Sequence, residues 1–157
     1  HARNHDYDRA SEYFQKCFDL VSGDKCVAVN KKSLPGIKFC ASAGLALSHI
    51  RRGNMEASLL SYRQMMMCLG ENKNCSDANS GYLLAELASS YMNASEIERA
   101  ESVLQLAYRW CAQQPLHPES QLVLGAYENL LKATDRHLEV ADMRRWIRLM
   151  PDELSPL

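Results

Sequence analysis

The chain has 157 residues, with 18 Lys and Arg set against 19 Asp and Glu, a net charge of −1 and 46% hydrophobic residues. This length supports one compact domain or one stretch of a repeat array. The charge balance creates no field to draw a nucleic-acid backbone or an anionic bilayer, and no apolar run reaches the roughly 18 residues needed to cross one.

Seven Gly and five Pro leave room for long helices, and the six cysteines include no CxxC pair. Thiols on helix-core faces, without a disulfide framework, place the protein in the cytoplasm or nucleus.

Taken in chain order, the first apolar stripe is Tyr7, Ala10, Phe14 and Cys17, which predicts a helix over 1–21. It has the character of the second helix of a hairpin whose first helix is missing. The expectation is a chain cut from a longer protein, or an N-terminus covered by a partner. Residues 22–36 carry Gly, Pro and a Lys-Lys pair and are predicted to be a surface loop.

A complete hairpin is predicted over 37–70. Leu45, Ala46 and His49 form the first stripe, Gly53 ends that helix as a C-terminal cap, and Met55, Ser58, Tyr62 and Met65 face back from the second. After a loop at 70–77, the clearest copy spans 77–113. Leu84, Leu87, Ala88 and Tyr91 are followed by a turn at 93–95, then Ala100, Leu104 and Ala107. Small residues at Ala88 and Ala100 suit the closest approach of two helices.

A third loop at 113–117 leads to a last hairpin over 117–151. Leu122, Leu124, Tyr127, Leu130 and Leu131 lie on its first helix; Val140, Met143, Ile147 and Met150 lie on its second. This copy is degenerate, because Glu128 stands where Ala46 and Ala88 stand earlier. It is expected to pack more loosely or to cap the array. Ala10, Ser58, Ala100 and Val140 recur at intervals of roughly 40 to 48 residues.

The order leucine, small residue, aromatic or His, turn, small residue, aromatic, then Ala or Cys resembles the tetratricopeptide family over nearly the whole chain. The long repeat, with its Leu116-His117-Pro118-Glu119 helix start, is similar to the kinesin light chain variety. The resemblance implies an all-α fold, a right-handed α-α superhelix (solenoid) of about three and a half hairpins. Its first helices would line a concave groove that binds a peptide or neighbouring subunits.

On that alignment the groove positions are Cys40, Ala43, Leu47, Ile50 and Arg51, then Tyr82, Ala85, Ser89 and Met92, then Leu122, Gly125, Asn129 and Lys132. Most are apolar or small. Repeated Lys, Asn and Arg for clasping a carboxylate are missing, so the expected ligand is an amphipathic helix or extended apolar segment of a partner protein. Two rival readings are a structural segment that forms a subunit interface in a large complex, and helical-repeat RNA binding, which the near-neutral charge disfavours.

Catalytic and metal chemistry find little footing. Met65, Met66, Met67 and Cys68 run consecutively, so a helix points them in different directions rather than at one soft metal ion. Cys68, Cys75, Cys111 and His117 lack paired zinc-ligand spacing. No phosphate-cradling loop or nucleophile motif accompanies the histidines His1, His5, His49, His117 and His137, and His49 fits a packed core position. The expectation is a non-enzyme without cofactor or metal. Arg136, Arg144, Arg145, Arg148 and Trp146 are interleaved with Glu139, Asp142 and Asp152, the pattern of a solvated helix face.

Overall fold

The computed structural model describes residues 2–23, 34–71, 81–113 and 119–148. Among them are seven α-helices and no strand: α1 Ala2–Ser22, α2 Leu34–Arg51, α3 Met55–Glu71, α4 Gly81–Asn93, α5 Ile97–Gln113, α6 Glu119–Ala133 and α7 His137–Arg148. No described helix is long and apolar enough to cross a membrane. The all-α class expected from the sequence is therefore observed. Helix α2 begins at Leu34 rather than 37, because Pro35 in the first turn has no backbone N–H to satisfy and its ring presets the helical φ.

The chain divides into two compact units, His1–Leu83 and Leu84–Leu157. The first holds α1 to α3; the second holds α5 to α7 and all of α4 beyond its first three residues.

One turn is built three times. Gly53, Ser95 and Asp135 each have a left-handed backbone, with φ of 77°, 63° and 56°. The next N–H donates to a carbonyl five residues back, Asn54 to His49 at 2.9 Å, Glu96 to Tyr91 at 2.9 Å and Arg136 to Leu131 at 2.8 Å. The left-handed residue itself donates to Ile50, Met92 and Lys132 respectively. This is the Schellman arrangement, which satisfies carbonyls that the ending helix would leave unpaired.

The residue after each left-handed position also starts the next helix, accepting at its carbonyl from Ser58, Ala100 and Val140. Side-chain capping differs among the copies. Asn54 Oδ1 accepts from the Ala57 N–H at 3.1 Å, whereas Glu96 pairs with Arg99 and Arg136 with Glu139 at 2.6 Å.

In the first unit, the seam between α2 and α3 is closed by small residues. Ala46 and Ser58 are fully buried, and the Ser58 hydroxyl donates to the Ala46 carbonyl at 2.8 Å. Helix α1 packs on the other side of α2. Gly44 is required there, since a Cβ at this position would stand 2.5 Å from the Phe14 ring. Arg51 donates to the Tyr7 hydroxyl and lies over its ring, while Asp8 pairs with Arg52 at 2.7 Å.

In the second unit the stripe Leu84, Leu87, Ala88 and Tyr91 is buried, as are Ala100, Val103, Leu104 and Ala107. Leu124, Leu131, Val140 and Met143 form a cluster between α6 and α7, with Tyr108 and Tyr127 against it. Glu101 of α5 reaches Arg136 at the α6–α7 turn. Both units thus place the helix that precedes a hairpin with its early residues on that hairpin's turn.

Glu128 occupies the register of the buried alanines and is held by two cations, Lys132 at 2.6 Å and Arg144 of α7. Where the earlier copies have a buried alanine, this copy has an ion-paired carboxylate between α6 and α7.

Candidate functional site

The sequence-predicted groove residues share one stripe per first helix, at steps of three, four and three residues. The three stripes stand in matching register to the repeated turn. Their exposure differs along the chain, and packing decides where side chains are offered.

On α2, Cys40, Leu47 and Ile50 are half-buried and Ala43 is fully buried. Arg51 is exposed but turned to Tyr7, so it serves the α1–α2 contact rather than standing as a simple anion donor. On α4, Tyr82 is 54% exposed and Met92 half-buried, but Ala85 is only 6% exposed and presents almost no surface. The Ser89 hydroxyl donates to its own helix at the Ala85 carbonyl, 2.9 Å away. On α6 the stripe is open throughout: Leu122 is 50% exposed, and Gly125, Asn129 and Lys132 are all exposed. Lys132 is engaged by Glu128, which leaves Asn129 as the polar group of this stripe most available to a ligand.

Two further depressions escaped the sequence. A cleft of about 400 Å³ opens between α5, α6 and α7, with Tyr108, Tyr127, Leu131 and Met143 in its wall and Glu139 and Asp142 at its rim. The two tyrosine rings stand 5.8 Å apart, tilted by 57°, and burial raises both phenol pKa values. A larger and more polar cleft of about 790 Å³ lies between α1 and the end of α2, lined among others by Asp8, Glu12, Lys16, His49 and Arg52. Neither was legible, because each joins helices whose mutual placement no local periodicity encodes.

The titratable groups are tuned by packing. Burial, with Arg52 beside it, pushes the His49 imidazole below its ordinary value, and its Nδ1 is buried without a hydrogen-bond partner. The packed core position expected for His49 is corrected: the ring is half-buried and lines the polar cleft between α1 and α2. Hydrogen bonds from Arg144 and Lys132 hold the Glu128 carboxyl at about 2, far below the usual carboxylate value. Cys111 is buried and its thiol pKa raised by that burial, the opposite of nucleophile activation. Cys68 is also buried, but Cys17 and Cys40 are only half-buried, so the expectation of uniformly buried thiols is corrected.

Met65 is buried, Met66 half-buried and Met67 exposed, which separates the run as helical geometry requires. Among the described residues no group of three or more His, Cys, Asp or Glu side chains is placed to hold a metal ion. The basic residues at and after the α6–α7 turn are partly committed, Arg136 to Glu101 and Glu139, Arg144 of α7 to Glu128. Cys26, Cys75, His1 and His117 lie outside the described residues, as do the predicted loops over most of their length.

What the site offers is therefore surface, in the form of apolar and amide side chains at helical intervals. Comparison with family models, curated proteins and solved structures returns no match.

Proposed function

We propose that this chain is a non-catalytic protein-interaction module of the tetratricopeptide kind, a superhelix of stacked hairpins that takes a peptide or amphipathic helix of a partner protein on its first helices. The observation that carries this reading is the threefold return of one hairpin grammar. The same left-handed turn at Gly53, Ser95 and Asp135 is flanked by buried stripes and by candidate groove stripes in common register, the one on α6 exposed throughout. Repetition of this kind builds an extended binding face from small units that each contribute a few side chains.

Tyr82 and Leu122 are the anchors, each a large apolar side chain half in water at the start of its stripe, and Met92 at the far end of α4 is an adaptable contact. The cytoplasm or nucleus is the compartment that suits this module.

The test is selection of binding peptides by display against the full chain, followed by affinity measurement on Tyr82→Ala and Leu122→Ala variants. Each is expected to weaken binding about tenfold or more, the usual effect of truncating an aromatic or aliphatic anchor. Unchanged affinity in both variants would remove the first-helix surface from consideration.

A second reading, a structural segment in a multi-subunit complex, is favoured by the open face of α1. RNA binding ranks last, because Arg136 and Arg144 already pair with carboxylates. A low-salt gel shift with no retarded band would retire it.

A further inference from the structure

We propose that the cleft between α5, α6 and α7 is a binding site for a small zwitterion, a free α-amino acid with an apolar side chain. The cleft holds about 400 Å³, within the range of small-ligand pockets. All of its lining residues belong to the second unit. Its floor is apolar. Leu131 and Met143 are buried, and the half-buried rings of Tyr108 and Tyr127 stand beside them, 5.8 Å apart and tilted by 57°. Such a floor receives an aliphatic or aromatic side chain.

The polar groups divide by wall. Helix α5 contributes Gln105 and Arg109, one turn apart and both exposed; α7 contributes Glu139 and Asp142, also exposed. Glu139 is already engaged, since both of its carboxylate oxygens accept from Arg136 at 2.6 Å, and Arg136 is committed again to Glu101. Those two carboxylates and one guanidinium keep a net negative charge at the start of α7, which reinforces Asp142. Arg144 pairs with Glu128 and does not line the cleft. Arg109 and Asp142 remain, a cation and an anion on opposite walls. Neither makes an ion pair with a described residue, and they do not meet across the cleft.

A field therefore runs across the cleft from Arg109 to Asp142. A simple anion or cation gains at one wall and loses at the other, whereas a zwitterion gains at both. The ligand's carboxylate accepts from Arg109 and Gln105, its ammonium donates to Asp142, and its side chain covers Leu131, Met143 and the tyrosine rings. A residue inside a peptide lacks both charges and is disfavoured by the same field. The site is separate from the first-helix surface: on α6 it uses Tyr127 and Leu131, whereas the candidate groove stripe uses Leu122, Gly125, Asn129 and Lys132.

The test uses the full chain with isotope-labelled methionine methyl groups, the Met143 signal being assigned by comparison with Met143→Leu. A panel of free α-amino acids is titrated in. Saturable movement of the Met143 signal is expected with phenylalanine, leucine or methionine, and none with glycine. The amide of the best ligand, which lacks the carboxylate, and its N-acetyl form, which lacks the ammonium, should each bind at least about tenfold more weakly. Arg109→Gln and Asp142→Asn, both at exposed positions, should each weaken the free amino acid by a similar factor. On the Arg109→Gln chain the amide should bind as well as the free amino acid, because the partner of the carboxylate is gone; the N-acetyl form should do the same on Asp142→Asn. Tyr82→Ala and Leu122→Ala should leave this affinity unchanged.

No saturable movement of the Met143 signal by any member of the panel would overturn the proposal. So would full affinity in both Arg109→Gln and Asp142→Asn. Equal binding of the amide, the N-acetyl form and the free amino acid would overturn it as well, by assigning the cleft to a peptide segment.

Discussion

Replacing Gly53 by Ala tests the repeated turn in isolation. Gly53 has φ of 77° and nothing within 4 Å of where its Cβ would stand, so the substitution meets no steric obstacle except its own backbone. A left-handed backbone costs a non-glycine residue about 1–2 kcal/mol. Stiffening the unfolded chain offsets about 0.4–1 kcal/mol of that. The expected net loss is about 1 kcal/mol, or about 2–4 °C in Tm for a chain of this size.

The converse change, Ser95→Gly, relieves the same strain at the matching position in the second unit and should stabilise it by a comparable or smaller amount. Urea unfolding followed by far-UV circular dichroism measures both, and a shifted midpoint with an unchanged slope would identify a change in stability alone. If Gly53→Ala left the midpoint in place while Ser95→Gly lowered it, the turns would not be equivalent and the repeat inferred from them would fail.

Three further outcomes follow from packing and charge. Ala88→Leu forces a larger side chain into a position with no exposed surface and should cost about 1–3 kcal/mol in the same assay, whereas Ala141→Leu on the exposed side of α7 should change little. Glu128 has a folded pKa of about 2, below its unfolded value, so its contribution is full above about pH 5. That contribution should fade as acid titrates the carboxyl down toward its folded value, and a Glu128→Gln variant should show a flatter stability profile across that window. His49 has a lowered folded pKa, so the unfolded chain binds its proton first. Stability should therefore fall as pH drops below about 6.5, and His49→Gln should remove that part of the slope.

Local physics made much of this fold legible. A turn that needs a left-handed residue marks itself with Gly53, and stripes at helical spacing pair on either side of it, so local sequence encodes the helix pairs that meet around 53, 95 and 135. The small residues Ala46, Ala88 and Ala100 pointed to the seams, because only short side chains allow two helices that close. The candidate binding stripes follow from the same register, and only the one on α6 is exposed throughout.

Tertiary structure decided what no single helix encodes. It buried Ala85 and Ala43 within stripes that helical spacing alone places outward, turned Arg51 to Tyr7, and gave Glu128 the partners Arg144 and Lys132 that make a carboxylate tolerable in a seam. It also opened a cleft between α5 and α7 beside two tyrosines, and left Tyr13 and Leu20 of α1 in water. Periodicity reports which side of a helix is apolar; whether another helix lies against that side is a property of residues far away in the chain.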